Sequence, residues 1–357
     1  MTASVDVVIA VHDAARPVER AVASALAAAE PGAVCVRVVV HNTAPGPIIA
    51  RLGALAAAPG VEVVELHDGI HSPAGPFNVG LNLARAPFTS VLGSDDELQP
   101  GAISSWLATA KRAGADVVIA RLRHAGGRAV PTPPTRPLPR RLLDPVADRL
   151  SYRSAPLGLV STRRYGDLRF AEGLPVGEDV PYVTRLWFMG GRVAYDRRGP
   201  AYLIHTDSAD RTTVASRALD RELAYLPRVL DDPWFVSLPA RAREAIVVKF
   251  FRIHLFGAIT NRNDPDGWTP PERESLAYHA ERLLRAGNGI ERVLSRRDRA
   301  LLDACLDPAT PVDVLLRRAA ARRRFAHPAS LIPRRITDTF HREAALRMTV
   351  ASVLQLR

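Results

Sequence analysis

The chain has 357 residues, of which 47% are hydrophobic and 24% charged, a balance typical of a folded protein rather than a disordered one. Its two cysteines, Cys35 and Cys305, lie far apart, which excludes a disulfide scaffold or a cysteine metal cluster. The formal net charge is +11 at pH 7, and almost all of the positive charge is arginine. This bias indicates an anionic partner only where the arginines cluster.

The apolar segments do not have the character of membrane spans. The N-terminal run VDVVIAV has the length of a strand and no basic flank, and the apolar stretch at 246–259 is interrupted by Lys249, Arg252 and His254. We therefore expect a cytoplasmic location, either free or peripheral on the inner face of the membrane.

Strand and helix patterns alternate over the first 120 residues. The strands are apolar on both faces, and helical patterns lie between them. This predicts an α/β fold with a Rossmann-like, mainly parallel sheet that is covered by helices on both faces and binds ligands at the carboxyl ends of its strands. In chain order, the predicted elements are strand 5–11, a helix opening at Pro17, strand 34–40, helix 47–58, strand 61–66, helix 77–85, strand 88–92, helix 101–114 and strand 116–120.

The regular pattern stops at the proline-rich segment 129–146, whose prolines exclude a helix or a central strand. We interpret it as a long surface loop inside the first domain, because β/α patterning resumes with LGLVST, a helix near 178–190, and the strands RVAY and AYLIH. Strand patterns disappear after about residue 212. We therefore expect a ligand-binding α/β domain at 1–212 and an α-helical domain at 213–357.

Two adjacent carboxylates, Asp95 and Asp96, follow the predicted strand 88–92. One interpretation is the acidic N-terminus of a helix, where carboxylates interact favourably with the helix dipole. The other is a site for a hard divalent cation, which takes oxygen ligands and bridges phosphates. The position at the carboxyl end of a strand favours a ligand site, but this pair alone leaves both interpretations open.

A second acidic pair, Glu178 and Asp179, opens the helix predicted near 178–190. An acidic helix N-terminus is again the structural alternative. The two pairs together favour a site in which one pair holds a metal ion and the other moves a proton.

Three motifs then occur in the order found in one enzyme family. They are an N-x-G-x-x-x-A helix that begins at Asn78, the acidic pair after a strand, and the Glu-Asp pair before an R-L-x-x-x-G helix. Over about residues 4–212 the chain resembles the inverting family 2 glycosyltransferases, which have the GT-A fold. The resemblance implies transfer of a sugar from a nucleotide diphosphate to an acceptor hydroxyl with inversion, followed in the chain by an additional helical domain.

The resemblance also implies roles for the acidic residues. Asp95 looks like the second aspartate of the family's DXD motif, which coordinates Mn²⁺ or Mg²⁺ on the diphosphate, while Gly93 stands where the first aspartate usually is. Asp179 matches the catalytic base, and Glu178 is its usual neighbour. A general base that acts directly on the acceptor contributes about a hundred- to ten-thousand-fold in rate.

Further residues are implied in binding the nucleotide sugar. His205 resembles a histidine near the diphosphate and is a second candidate metal ligand, although a structural hydrogen bond at a strand end explains it equally well. Asn42, beside His41, stands in a segment that usually contains two aspartates, one of which binds uracil, and the Asn42 amide is still able to hydrogen-bond a base edge. The resemblance favours a UDP-sugar donor, while the departure at His41 and Asn42 leaves TDP- and GDP-sugars open, and it implies a carbohydrate or glycoconjugate acceptor. The implied nucleotide-sugar-binding residues are Val11, His12, Asp13, Asn42, Asn78, Ser94, Asp95, Asp96 and Arg211.

Two hypotheses for the whole protein stay open. The first is a glycosyltransferase of cell-surface polysaccharide or glycoconjugate synthesis. The second is a catalytically degraded GT-A protein that acts as a binding or assembly subunit, which Gly93, His41 and Asn42 suggest because they replace expected carboxylates. The retained carboxylates favour the enzyme; they are Asp95, Asp96, Glu178 and Asp179.

Arginines cluster near the C-terminus. A solvated helical face, an anionic membrane surface and nucleic acid are the three interpretations, and the last is disfavoured because no nucleic-acid motif or interleaved aromatic residues accompany the cluster. Assembly into a homo-oligomer through the helical domain also stays open. The clustered arginines are Arg317, Arg318, Arg322, Arg323, Arg324, Arg334 and Arg335.

Overall fold

The computed structural model describes residues 3–138, 140–206 and 217–355. These residues divide into two compact units. The first is drawn from Met1–Thr132, Leu138–Asp144 and Arg153–Arg211, and the second from Pro133–Pro137, Pro145–Tyr152 and Thr212–Arg357.

The first unit is an α/β unit whose strands form two sheets. The apolar runs of the sequence become its buried strands, and every residue of β1 except Ala10 is buried. In chain order the strands are β1 (Val5–Val11), β2 (Val34–His41), β3 (Val61–Leu66), β4 (Phe88–Gly93), β5 (Glu97–Leu98), β6 (Val117–Ala120), β7 (Leu122–His124), β8 (Ala129–Val130), β9 (Gly158–Ser161), β10 (Val193–Asp196) and β11 (Tyr202–Ile204).

Helices connect these strands and pack on the main sheet. Two of them differ in extent from the prediction: the helix expected at 47–58 ends at Leu52, where Gly53 has a positive φ, and the helix expected at 77–85 begins at Ala74. The helices of this unit are α1 (Val18–Ala27), α2 (Pro45–Leu52), α3 (Ala74–Leu83), α4 (Ala102–Ala113), α5 (Thr162–Tyr165) and α6 (Asp179–Phe188).

The main sheet has seven strands in the order β10-β6-β9-β4-β1-β2-β3. All of its pairings are parallel except those of β9, which runs antiparallel to both β4 and β6. The predicted mainly parallel sheet is therefore confirmed. A smaller sheet, in the order β5-β11-β7-β8, contains the predicted strand AYLIH as β11.

The proline-rich segment was expected to be a surface loop inside the first domain, and this is wrong for residues 133–137. These residues group with the second unit, and Thr135 is completely buried. Contacts within that unit hold the segment: Arg136 forms a 2.6 Å ion pair with the buried Asp148, and Gln355 donates a 2.7 Å hydrogen bond to the Thr135 hydroxyl. Prolines exclude regular structure here, but they do not exclude burial when side chains satisfy the backbone.

The second unit is helical in its described residues, as predicted for the chain after residue 212. A π-helical turn, Phe250–Leu255, connects α10 to α11. Among the described residues, no helix has the length and apolar character needed to cross a membrane. The helices are α7 (Leu219–Glu222), α8 (Tyr225–Leu230), α9 (Pro233–Ser237), α10 (Ala240–Lys249), α11 (Phe256–Asn261), α12 (Pro270–Ala286), α13 (Arg296–Leu306), α14 (Val312–Arg322), α15 (Pro328–Leu331) and α16 (Ala345–Gln355).

Candidate active site

The carboxyl ends of β1, β2, β3 and β4 lie side by side at one edge of the main sheet. β1 pairs in parallel with β2 and β4, and β2 pairs in parallel with β3, so the loops that follow these strands share this edge. Open α/β sheets bind ligands there. The predicted residues at these strand ends are Val11, His12, Asp13, Asn42, Ser94, Asp95 and Asp96.

The loop after β1 begins inside the core and ends at the surface. Val11 is completely buried, so only its backbone can face the edge, whereas His12 is exposed. The Asp13 carboxylate accepts a 2.8 Å hydrogen bond from the N–H of Ala15. Asp13 therefore shapes the turn that leads to Arg16.

The acidic pair is not the N-terminus of a helix. The N–H of Asp96 donates a 3.1 Å hydrogen bond to the carbonyl of Gly93, which turns the chain into the short strand β5. Helix α4 begins only at Ala102, after Gly101 at its N-cap. The helix-cap interpretation is therefore excluded for Asp95 and Asp96.

Asp96 connects the end of β4 to the smaller sheet. Its carboxylate accepts a 2.6 Å hydrogen bond from the Tyr202 hydroxyl and a 3.0 Å hydrogen bond from the N–H of His205. Burial raises the pKa of Asp96, and the negative charge of Asp95 adds to this, while the two hydrogen bonds oppose it. Because both carboxylate oxygens are used inside the protein, Asp96 positions the loop that carries Asp95.

Gly93 leaves the space that this arrangement needs. Its N–H donates a 3.0 Å hydrogen bond to the Tyr202 hydroxyl oxygen, and a Cβ at this position would lie 2.8 Å from Oδ2 of Asp96 and 3.2 Å from Oδ1 of Asp95. A side chain here would displace the Asp96 carboxylate. A glycine at position 93 therefore fits the arrangement of Asp96 and Tyr202 without displacing either side chain.

Asp95 faces a different set of partners. Its carboxylate lies 3.2 Å from Nη1 of Arg16, with 18% of the side chain exposed, and Arg20 of α1 donates a hydrogen bond to its backbone carbonyl. Asp95 is therefore held from its backbone while its carboxylate stays accessible beside a cation.

His205 is held close to the acidic loop by a carboxylate. Its Nε2 lies 3.1 Å from Oε2 of Glu97. The structural hydrogen bond that the sequence offered as the alternative to a metal-binding role of His205 is therefore present. Arg211 lies outside the described residues. Within the described ranges, no three His, Cys, Asp or Glu side chains come together as a group that could hold a metal ion.

The ends of β2 and β3 are tied together through Asn42, which has a left-handed backbone with φ of 53°. Its side-chain carbonyl accepts hydrogen bonds of 3.1 and 3.0 Å from the N–H groups of Asp68 and Gly69, and its amide donates to Oδ1 of Asp68 and to the carbonyl of Ile70. These contacts use the groups with which Asn42 was expected to reach a base edge.

Asp68 supplies a carboxylate at this corner of the site. It accepts hydrogen bonds from the N–H of Ile70, from His41 at 2.9 Å and from Asn42. Burial opposes ionisation of Asp68, but these hydrogen bonds lower its pKa to about 2. Asp68 is therefore a permanent anion, with 24% of its side chain exposed.

The N-x-G-x-x-x-A helix has structural contacts that explain its asparagine and its glycine. The side-chain carbonyl of Asn78 accepts a 2.9 Å hydrogen bond from the N–H of Phe170, and its amide donates to the Phe170 carbonyl and to Glu172. A Cβ on Gly80 would lie 2.2 Å from Val8 of β1. Asn78 therefore acts on the site by fixing the segment that leads into α6, rather than with a polar group left available for a nucleotide.

Glu178 and Asp179 lie at the N-terminus of α6, as predicted. Glu178 occupies the N-cap position and Asp179 the first helical position. Burial, with the negative charge of Asp179 as a second cause, raises the pKa of Glu178 to about 7. At neutral pH a substantial fraction of Glu178 therefore retains its proton.

Sequence reasoning missed Arg16, Arg20, Asp68 and Tyr202. Tyr202 is three residues before His205 on the same predicted strand. Its hydrogen bond to Asp96 depends on the pairing of β11 with β5 in the smaller sheet, which no sequence pattern predicts. Arg16 and Arg20 had a signal in their position just after β1, at a ligand-binding strand end.

The mainly parallel sheet, with this loop at its carboxyl edge and a following helical unit, defines a GT-A type of fold, and it is the fold of S. aureus TarS. A crystal structure of TarS 1–349 in complex with UDP-GlcNAc matches with a TM-score of 0.73 and 16% identity, covering 90% of this chain and 92% of that chain. A second TarS crystal structure matches with a TM-score of 0.69 and 16% identity, covering 90% of this chain and 55% of that one. The predicted fold class is therefore confirmed.

A sequence match points to a second relative. The chain is 29% identical over 218 residues to the succinoglycan biosynthesis protein ExoO of Rhizobium meliloti (strain 1021), which covers 57% of this chain and 62% of ExoO. The match thus spans less than two thirds of that relative. No family model matches the chain.

Proposed function

We propose that the protein is an inverting glycosyltransferase that moves a sugar from a nucleotide diphosphate to a carbohydrate or glycoconjugate acceptor, in the synthesis of a cell-surface polysaccharide. The observation that carries this proposal is Asp95, an accessible carboxylate at the carboxyl edge of a fold shared with a protein solved with UDP-GlcNAc. The similarity to a succinoglycan biosynthesis protein supports a polysaccharide product.

The first chemical task is to stabilise the diphosphate as it leaves. Arg16 offers a fixed positive charge beside Asp95. The side chains suit a divalent cation only in part, because Asp95 is one accessible oxygen ligand and His205 is already held by Glu97. Asp95 would hold Mn²⁺ or Mg²⁺ together with phosphate oxygens, and such an ion would neutralise charge on the leaving group.

The second task is to remove a proton from the acceptor hydroxyl. Asp179 is the proposed general base, and its neighbour Glu178, whose pKa is raised to about 7 by burial, is partly protonated at neutral pH. A base that acts directly on the acceptor requires no protein nucleophile. Displacement in one step inverts the anomeric centre.

The proposed donor is a UDP-sugar, bound with its base near the ends of β2 and β3. Asp68 is ionised there and can accept the N3–H of uracil, which cytosine and adenine lack. Asp68 thus takes the role expected of the segment that contains His41 and Asn42. The exposed ring of His12 is proposed to lie against the base.

A thermal-shift panel of nucleotide diphosphates and nucleotide sugars, with and without Mn²⁺, tests the donor and the metal together. UDP and a UDP-sugar should raise the melting temperature, and Mn²⁺ should increase the shift in the wild type but not in Asp95→Ala. An equal response of the two proteins to Mn²⁺ would contradict the role of Asp95. Inertness towards every nucleotide would favour the degraded binding subunit.

The proposed location is cytoplasmic and peripheral to the membrane. Four of the clustered arginines contact groups of the helical unit, namely Arg317, Arg318, Arg322 and Arg334. The neighbouring segments 323–325 and 335–340, in contrast, expose arginines together with large apolar side chains. Arginine beside exposed apolar groups favours an anionic membrane interface. Phe325, Ile336 and Phe340 are 67%, 70% and 74% exposed.

Liposome sedimentation tests this location. We expect binding to vesicles that contain anionic lipid, and weaker binding for Phe325→Ala and Phe340→Ala at every salt concentration. Equal sedimentation with neutral and anionic vesicles, or none with either, would contradict it.

A further inference from the structure

A shallow groove of mixed polar and apolar lining lies in the second unit, between α12 and the short helices α7 and α8. Its volume is about 650 Å³, and it is widely open to solvent. One face of α12 lines the groove, since residues three and four positions apart share a helix face. The residues on this face are Pro271, Ser275, Tyr278 and Arg282. Asp220 lines it from α7. The volume is within the range of a small-molecule site.

An aromatic ring is held in a fixed position in this groove. Tyr278 is 50% exposed, and Arg282 donates a 3.3 Å hydrogen bond to its hydroxyl while the guanidinium carbon lies 5.9 Å from the ring centroid. Asp231 fixes the guanidinium from the other side through an ion pair. The exposed ring is therefore pre-positioned for a ligand.

A buried histidine orients the carboxylate opposite the ring. His279 is 4% exposed, and its Nε2 lies 3.1 Å from Oδ1 of Asp220. Its Nδ1 is buried with no hydrogen-bond partner among the described residues, and burial lowers the pKa of His279, so the neutral ring donates from Nε2. The Ser275 hydroxyl also donates to Asp220. This buried polar contact orients an otherwise exposed carboxylate towards the groove.

The charge of the groove is opposite to that of the whole chain. Asp220 and Glu274 contribute two carboxylates to its lining, while Arg282 is neutralised by Asp231. A groove of negative charge in a chain of net charge +11 disfavours phosphates and other polyanions. Carboxylates accept hydrogen bonds from hydroxyl groups. When apolar C–H groups of a ligand cover the half-exposed ring, apolar surface is removed from water, which favours binding.

We propose that this groove is a saccharide-binding site that takes a neutral segment of the acceptor chain, with a sugar ring on Tyr278 and its hydroxyls on Asp220 and Glu274. The identification of the ligand as an acceptor rests on the proposed function, whereas saccharide binding itself does not. A second saccharide site holds a polymeric acceptor near the enzyme and raises its effective concentration.

An array of neutral and anionic oligosaccharides, probed with the labelled full-length chain, tests the proposal. We expect binding to neutral members. Calorimetry with the neutral oligosaccharide that gives the highest array signal should then show at least a tenfold loss of affinity for Tyr278→Ala and for Glu274→Gln. Tyr278→Phe should retain binding, since the ring stays. Glu281→Gln, on an exposed part of the same helix, is the matched control and should bind as the wild type does.

Three results would overturn the proposal: no binding to any neutral saccharide, preferential binding to anionic saccharides, or unchanged affinity in Tyr278→Ala. The thermal shift with UDP, measured on the same preparations, separates this site from the proposed donor site. A loss of the UDP response with intact saccharide binding would count against the glycosyltransferase alone.

Discussion

The hydroxyl of Tyr202 donates a 2.6 Å hydrogen bond to Asp96 and accepts a 3.0 Å hydrogen bond from the N–H of Gly93. One phenol thus joins the last residue of β4 to the second aspartate of the acidic pair. The relationship divides the pair between two roles: Asp96 holds the loop, and Asp95 faces the ligand edge.

Replacement of Tyr202 by phenylalanine should loosen this loop. Tyr202→Phe removes the hydroxyl partner of the Gly93 N–H and of Oδ2 of Asp96, and we expect a loss of about 1–3 kcal/mol in the free energy of unfolding together with weaker UDP binding. Tyr165→Phe is the control, because Tyr165 is buried and donates a 3.4 Å hydrogen bond to Leu186 away from the acidic loop. Denaturant titration and calorimetry measure both quantities. Unchanged UDP affinity in Tyr202→Phe would argue against the positioning role.

Restoring a larger residue at Gly93 should reduce activity. In Gly93→Ala the new Cβ lies 2.8 Å from Oδ2 of Asp96. Gly93→Asp increases this crowding and adds a third carboxylate to the loop. Both variants should therefore lose donor binding. Gly46→Ala is the control, because a Cβ there meets nothing within 4 Å. If Gly93→Asp bound UDP more tightly in the presence of Mn²⁺, the steric explanation of the glycine would be wrong.

Glu178 should make stability depend on pH. The pKa of Glu178 in the folded protein, about 7, exceeds the ordinary value of 4.5, so the folded protein binds this proton more strongly than the unfolded chain does. The resulting contribution to the free energy of unfolding is complete below pH 4.5 and is lost as pH rises through 7. Between pH 4.5 and pH 8 the stability of Glu178→Gln relative to the wild type should therefore increase by roughly 3 kcal/mol. Denaturant titrations at several pH values measure the difference, with Glu281→Gln as the control. Parallel pH profiles for wild type and Glu178→Gln would contradict the raised pKa.

Asp68 should select the base. Loss of a hydrogen bond to a charged acceptor in Asp68→Asn should lower UDP affinity by about tenfold or more. Because Asp68 also holds the β3 loop, the discriminating probe is UDP methylated at N3, which cannot donate. The wild type should bind it more weakly than UDP, and Asp68→Asn should bind the two nearly equally. Equal binding of both ligands by the wild type would remove Asp68 from base recognition.

The sequence predicts the sheet well because its strands are apolar on both faces and separated by helices, a pattern that local residues determine. It does not predict that β9 is antiparallel or that β11 joins a second sheet, since those pairings depend on partners far along the chain.

The candidate site shows the same division between local and distant information. Asp95, Glu178 and Asp179 could be found because adjacent carboxylates at a strand end or helix start are a local signal. The positioning role of Asn78 could not, because its partner Phe170 is 92 residues away. The steric reason for Gly93 likewise depends on Asp96 and Tyr202, which the fold brings together.

The central claim is direct displacement with Asp179 as general base, and the stereochemistry of donor hydrolysis tests it without knowledge of the acceptor. Time-resolved proton NMR of a panel of α-linked UDP-sugars with Mn²⁺ reports which anomer forms first. We expect the β-anomer to appear first, and Asp179→Asn to slow its formation by about a hundred- to ten-thousand-fold while UDP binding persists. Initial release of the α-anomer, or hydrolysis that is undiminished in Asp179→Asn, would contradict the account.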